Sequence, residues 1–451
     1  MACNRNDNHY QNLIFLDIFK GLSGSVTFKA ERSGGMKQKL GLLTLMVLAF
    51  FMMAVPVFAD STEELEKKID LLSDEVDDLK NRGMAGTSDH NLVTVHGYGE
   101  MHYNAPENGD RIIDNHRFAV GWHAILADWI HFNGEIDFEH AAQKLEFEYG
   151  YLDFLLHPAL NARAGVMLAP VGFLNEYHEP NLFWTVERPL LQKQLIPTTW
   201  NGGGFGIFGT PMEGVNYRAY VMNSLQSVTT DTTLNGDGSG GSGGSGDQFT
   251  SGGIRSGRKE VNEAIADDFS IFARLELTQL WPGLQLGFSW VNGDTTHDII
   301  EQDGNMNLLE ADMKYRWNWF DMNATVVQTT VEDTLELNRF CATGAGNDCS
   351  GGIAESNFGY NVQVGIHIPQ LIGWKTKQDI IPFFLFERVR TQDKVNAETT
   401  VDRTKNRNGI YTYGVSYMPV STVALKADHT TTNTEDGKSA KQFNLAVAYM
   451  F

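Results

Sequence analysis

The chain has 451 residues, with 35 Lys and Arg against 56 Asp and Glu, a formal net charge of −21. So acidic a chain lacks the basic stripe that nucleic-acid binding requires, and its 11% aromatic content excludes a wholly disordered polymer. A helical membrane bundle would show several long apolar stretches, and this sequence has one.

That stretch, 40–59, follows the short basic segment Met36-Lys37-Gln38-Lys39 and ends on Val57-Phe58-Ala59. The order predicts a signal peptide over 36–59, cleaved before Asp60; a retained anchor is the alternative. Residues 1–35, which include Cys3, precede a complete signal with its own Met, so they read as an upstream extension outside the working protein. Removing 1–59 takes away six basic and three acidic residues and leaves a net charge of −24.

Over 60–82, Leu65, Ile69, Leu72, Val76 and Leu79 recur at alternating spacings of four and three, which predicts a short heptad helix. A small coiled coil joining subunits is the expected use. One amphipathic helix packed on the rest is the alternative, and 83–90 reads as a linker.

From Leu92 the hydrophobic period becomes two and stays there. Sixteen strands are predicted, at 92–103, 114–124, 129–140, 144–155, 160–168, 203–209, 214–223, 267–278, 284–292, 306–316, 321–331, 356–368, 379–389, 409–417, 422–430 and 441–451. Long connections (104–113, 169–202, 224–266, 293–305, 332–355, 390–408, 431–440) alternate with short turns, in or beside which stand Pro158, Pro211, Pro282, Pro369 and Pro419. That asymmetry marks a transmembrane barrel, and closure satisfies every backbone group in lipid. The expected fold is all-β: a 16-stranded antiparallel transmembrane β-barrel over 91–451, with no amphipathic helix of useful length interrupting it.

Strand faces agree. Ile130, Phe132, Gly134, Ile136 and Phe138 oppose His131, Asn133, Glu135, Asp137 and Glu139; Leu145, Phe147, Tyr149 and Tyr151 oppose Lys144, Glu146 and Glu148. The last strand places Phe443, Leu445, Val447, Tyr449 and Phe451 on one face, the register an assembly machinery for outer-membrane barrels would read.

The signal peptide, heptad helix, long barrel and terminal Phe together resemble the trimeric porins of the Gram-negative outer membrane. Val95-His96-Gly97-Tyr98-Gly99-Glu100 as first strand, and 160–204 as fifth strand plus third outer loop, are similar to the phosphate-selective porin O/P superfamily. The resemblance implies a homotrimer in the bacterial outer membrane, in contact with lipid and lipopolysaccharide, that passes small hydrophilic solutes and uses no cofactor. It also implies that the third loop folds inward and narrows the pore.

That loop, 169–202, is too apolar for free solvation: Phe173, Leu174, Tyr177, Leu182, Phe183 and Trp184 call for burial. Glu176, His178, Glu179, Glu187, Arg188 and Lys193 would then line the constriction. Arg117, Arg163, Arg218, Arg274 and Arg316, at inward parity on strands, would face the loop acids; a structural ion pair is the alternative for each. A phosphate channel would carry a ladder of basic residues with little acid nearby, yet the inward faces of strands three and four are rich in Glu and Asp. Weak cation preference is therefore expected, with an anion- or phosphate-selective channel as the alternative.

Three features remain. Cys341 and Cys349, eight apart in an Asn/Gly-rich segment of an exported chain, are expected to form a local disulfide; as a metal site the pair lacks further ligands. The Gly/Ser-rich insert 236–258 is expected to be a flexible, exposed loop. An enzyme is not expected: Ser242 matches Gly-x-Ser-x-Gly only inside that insert, no P-loop or dinucleotide fingerprint is present, and His178 beside Glu176 and Glu179 reads as an interior hydrogen-bond network rather than a metal or acid–base site. A barrel anchoring an adhesive or tethering helix is a further alternative. No metal ligands are predicted.

Overall fold

The computed structural model describes residues 93–230, 248–259, 261–342, 349, 352–396 and 403–451. The upstream extension, signal peptide, heptad segment, linker and most of the Gly/Ser-rich insert, Ser242 included, lie outside the described residues.

Alternation of apolar and polar side chains yields a strand wherever it was expected. The first half of the wall is β1 (Val93–Pro106), β2 (Ile112–Ala127), β3 (Ile130–Glu139), β4 (Lys144–His157), β5 (Leu160–Leu168), β6 (Asn201–Met212), β7 (Val215–Asn223) and β8 (Phe269–Trp281). The second is β9 (Leu284–Gly293), β10 (Met306–Trp317), β11 (Phe320–Val331), β12 (Ser356–Ile366), β13 (Asp379–Lys394), β14 (Arg407–Val420), β15 (Val423–Thr434) and β16 (Ser439–Met450). Each pairs with its sequence neighbours, and β1 pairs with β16, so the sheet is a closed antiparallel barrel with no free edge. At the seam Tyr98 lies opposite Met450, and Gly97 and Phe451 exchange backbone hydrogen bonds of 3.0 and 2.9 Å. A side chain on Gly97 would collide with the Phe451 ring and one on Gly99 with Tyr449, so the two glycines let those rings lie against the outer wall.

The outside is apolar. On β16, Phe443, Leu445, Val447, Tyr449 and Phe451 are exposed while Asn444, Ala446 and Ala448 between them are buried. Trp129, Trp281, Trp317 and Trp374 stand about half exposed at the short-turn end, an aromatic girdle of the kind that marks a membrane interface.

Two bulges change which side chains face inward. At Glu148 the register of β3 and β4 slips, so Glu135 lies opposite Tyr149 while Ile136 lies opposite Phe147. Leu145 and Phe147 keep the outer face, but Tyr149 and Tyr151 switch to the lumen, where the Tyr149 hydroxyl donates to Glu135 (3.3 Å) and the Arg163 guanidinium lies 3.9 Å over the Tyr151 ring. Strict alternation would put both tyrosines on the lipid face; one inserted residue reverses the parity of the rest of the strand. The second bulge, between β1 and β2 at His116, brings His116 and Arg117 to the same inner side.

The long connections are more structured than expected. α1 (Gly172–Glu176) and α2 (Leu190–Gln194) lie in 169–202, α3 (Thr334–Ala342) in the loop after β11, and α4 (Ile368–Leu371) in the turn after β12. The nine-residue α3 lies in a loop and leaves the sixteen-stranded wall uninterrupted, while its Leu337 sinks into a core with Cys349 and Ile353. The insert is corrected. Its final part packs inward: Phe249 and Ile254 are fully buried, and Arg255 donates to the carbonyls of Lys193 and Thr198. Glycine composition hid two large apolar anchors. Together with Leu191, Leu195, Ile196, Trp200, Leu225 and Val228, these loop residues build an apolar core with buried side chains of β5, β7–β11, β13 and β14. Cys341 and Cys349 meet within this assembly, their Cα atoms 5.6 Å apart and their sulfurs bonded.

Candidate functional site: a loop pinned across the lumen

The segment between β5 and β6 does not rise away from the barrel. Burial of Phe173, Leu174, Phe183 and Trp184 draws it inside, and Val171, Leu191 and Ile196 have no exposed surface. Tyr177 and Leu182, also expected to be buried, are instead about 48% and 50% exposed.

Polar contacts with the wall fix its path. Near β9, the Gly172 amide donates to Ser289 Oγ (3.2 Å). Farther along, His178 Nε2 lies 3.0 Å from the Tyr98 hydroxyl on β1, and its Nδ1 lies 3.0 Å from the Asn175 carbonyl. Lys426 of β15 donates to the Pro180 and Thr185 carbonyls and lies 4.0 Å over the Phe183 ring. The Val186 amide donates to Asp428 (2.6 Å), and the amides of Leu190 and Leu191 to the two oxygens of Glu387 on β13, each at 3.0 Å. Buried backbone donors need partners; strand carboxylates supply them, so the wall itself specifies where the loop crosses.

Beyond Val186 the loop borders a cavity of about 340 Å³, lined by Glu187, Arg188, Lys193, Glu387, Asp428 and Asn444 among others. Glu187 is the hub of its rim, with Lys193 Nζ at 2.6 Å, His102 Nδ1 at 3.1 Å and Asn104 Nδ2 at 3.0 Å. Burial would raise the Glu187 carboxyl, but Lys193 and His102 hold it well below the usual carboxylate range. Arg188 turns back and donates to the His178 carbonyl (3.3 Å). Glu179 is half-buried at the loop's turn.

The arginines divide. Arg218 alone meets a loop acid, with Nε 3.1 Å from Glu176 and Nη1 3.1 Å from Glu276 on β8. Arg117 sits among three strand carboxylates, Glu100 (3.3 Å), Asp137 (3.3 Å) and Glu139 (2.9 Å). Arg274 sits among Glu276 (2.9 Å), Asp312 (2.7 Å) and Glu310 (3.4 Å). Arg163 forms a fork with Asp153, at 2.7 and 3.0 Å. Arg316 is exposed at the short-turn end of β10. A row of arginines confronting the loop acids is therefore corrected: Arg117, Arg163, Arg218 and Arg274 turn inward, but carboxylates of the wall pair with them, from adjacent strands at Arg117 and Arg163 and, at Arg274, from its own strand and across Gly287 of β9 from β10.

Sequence reasoning missed Tyr98, His102, Glu387, Lys426 and Asp428. Each stands on a strand at inward parity, but only the three-dimensional path of the loop selects these from the other lumen residues.

No family model matches the chain. Among solved structures it is similar to OmpF of Salmonella typhi in complex with daunomycin, with a TM-score of 0.51 and 10% identity over 81% of this chain and 99% of that one. It is likewise similar to the outer membrane channel DcaP of Acinetobacter baumannii, with a TM-score of 0.50 and 11% identity over 81% and 99%. A third is a loop L8 deletion mutant of OmpT, an outer membrane protein of Vibrio cholerae, with a TM-score of 0.50 and 10% identity over 80% and 100%. At such identities the likeness is one of fold. In sequence the chain is 30% identical over 373 residues, 80% of each protein, to an uncharacterized protein of Aquifex aeolicus (strain VF5). The chain belongs to the same protein family as that Aquifex aeolicus relative.

Proposed function

We propose that the protein is an outer-membrane porin, a non-enzymatic channel through which ions and small hydrophilic solutes diffuse passively. The carrying observation is the loop 169–202, held across the interior of a closed barrel whose outside is apolar and whose inside is charged. A barrel serving only as an anchor for a tethering helix has no use for a loop pinned beside a polar cavity. His178 contacts Tyr98 and the Asn175 carbonyl, which suits an interior network rather than catalysis.

Weak cation preference is the favoured selectivity. Carboxylates outnumber these arginines: Arg117 faces three, and Arg218 and Arg274 together face Glu176, Glu276, Glu310 and Asp312, which favours cations over anions in the lumen. A phosphate channel of the O/P type would leave such arginines free for the anion. The exposed apolar face supports a place in outer-membrane lipid beside lipopolysaccharide, reached through the barrel assembly machinery, and the heptad over 60–82 supports a homotrimer.

Purified protein in a planar bilayer should give discrete ohmic current steps, with a reversal potential in a salt gradient on the cation side. Folded protein that inserts without conducting would refute the channel. A current saturated by inorganic phosphate would restore the phosphate reading.

A further inference from the structure

Beside the cavity, at the loop end of β2 and β3, three potential metal ligands converge outside the network already described. Asp114 Oδ2 lies 3.2 Å from His116 Nδ1 and 2.8 Å from His140 Nδ1, and the three donor atoms all lie within 4.8 Å of one another. All three side chains are half-buried, so the group is held by the wall yet reachable from the lumen. We propose that Asp114, His116 and His140 form a binding site for one divalent transition-metal ion of the zinc, cobalt or nickel type.

The geometry suits such an ion. A tetrahedral site with bonds of about 2.0–2.1 Å places its donors roughly 3.3 Å apart, close to the two separations to Asp114. Two imidazoles and one carboxylate favour borderline transition metals over calcium or magnesium, which take oxygen donors. Three protein ligands leave a fourth position for lumen water or for a donor atom of a passing solute. Without an ion, each Nδ1 carries the proton it donates to the shared Asp114 oxygen; on binding, each neutral imidazole holds its proton on Nε2 instead, and the freed Nδ1 lone pair coordinates the ion.

The scaffold presents the ligands in this arrangement. The bulge at His116 keeps that ring on the inner side, level with Asp114 two residues earlier. The turn carrying His140 is clamped to β2, with the His140 amide donating to the His116 carbonyl (3.2 Å) and the Ala141 amide to the Asn115 carbonyl (3.1 Å). His140, Ala141 and Ala142 all adopt left-handed backbone angles, with φ of 49°, 55° and 69°. His102 stacks on the His116 ring, centroids 4.5 Å apart and planes 16° apart, while its own nitrogens bind Glu100 and Glu187. His102 thus fixes the His116 ring without competing for the ion, and it links the site to the rim carboxylate of the cavity.

Binding is measurable without any channel current, so the test stands apart from the porin reading. Tag-free folded protein, stripped with a chelator, is titrated with Co²⁺, read by the visible absorption of tetrahedral cobalt, and then with Zn²⁺ by displacement. The inference expects one such ion per chain. His116→Ala and His140→Ala should each weaken it by at least the roughly tenfold to hundredfold that loss of a mere outer-shell partner costs. His131→Ala, which removes half of the separate His123–His131 contact (3.1 Å), should leave it unchanged. Should His116→Ala disturb the bulge and fail to fold, His140→Ala, in a turn, decides alone, and His140→Glu should recover part of the affinity by restoring a ligand. No saturable ion in the wild type, or affinity unchanged in His140→Ala, would overturn the proposal.

Discussion

Glu387 is the sharpest place to test whether the loop is held by the wall. Its two oxygens accept the amides of Leu190 and Leu191 at 3.0 Å each, at the start of the short helix that borders the cavity. In Glu387→Ala both amides lose their partner. A buried donor left unsatisfied costs about 1–3 kcal/mol, so releasing the segment becomes easier by roughly 2–6 kcal/mol. At 1.4 kcal/mol per decade, its open population rises roughly 30-fold to 10⁴-fold. Lumen water that reaches the freed amides moves the effect toward the lower figure. The ladders of sixteen strands are untouched, so the change is a local opening and the barrel's melting temperature should hold. In single-channel recordings the variant should show excess noise and sub-conductance states where the wild type is quiet. Glu387→Gln keeps an acceptor for one amide and should fall between. If Glu387→Ala is as quiet as the wild type, the loop is not held through this carboxylate and the reasoning fails.

Glu187→Gln leaves Lys193 uncompensated at the cavity rim, where Arg188 also stands, so the reversal potential should move toward anions. The shift should be largest well below 0.1 M salt, where screening extends beyond about 10 Å; a shift toward cations would contradict the charge assignment. His178 is pulled two ways: burial would lower its pKa, and Glu135 beside it outweighs burial and raises it. A raised folded value means that its stabilisation of the loop is complete below the ordinary histidine pKa and lost as pH rises through the raised one. Channel noise should therefore grow with pH in the wild type and stay flat in His178→Gln. Phe451→Asp puts a charge on the exposed outer face beside Phe118, whose ring centroid lies 6.1 Å away, and should reduce the yield of heat-modifiable folded barrel. An unchanged yield would remove the terminal register as an assembly requirement.

The wall was legible in the sequence. Alternation with period two is a local property, repeated sixteen times, and burial on one face of each strand leaves one register open to it. The same logic found the outer face of β16, and the apolar content of 169–202 was enough to send that loop inside. Features that depend on a single inserted residue or on distant partners emerged only in three dimensions. The bulge at Glu148 moved Tyr149 and Tyr151 into the lumen, and no composition signal marks where a bulge falls. Arg117 took carboxylates of β1 and β3, adjacent strands about 4.8 Å away, and Arg274 took Glu276 of its own strand and, across the side-chain-free Gly287 of β9, Asp312 of β10, all nearer than a loop acid. Phe249 and Ile254 found a core that exists only once separate loops have gathered. Asp114, His116 and His140 became a set of ligands through a bulge and a turn that bring together side chains up to 26 residues apart.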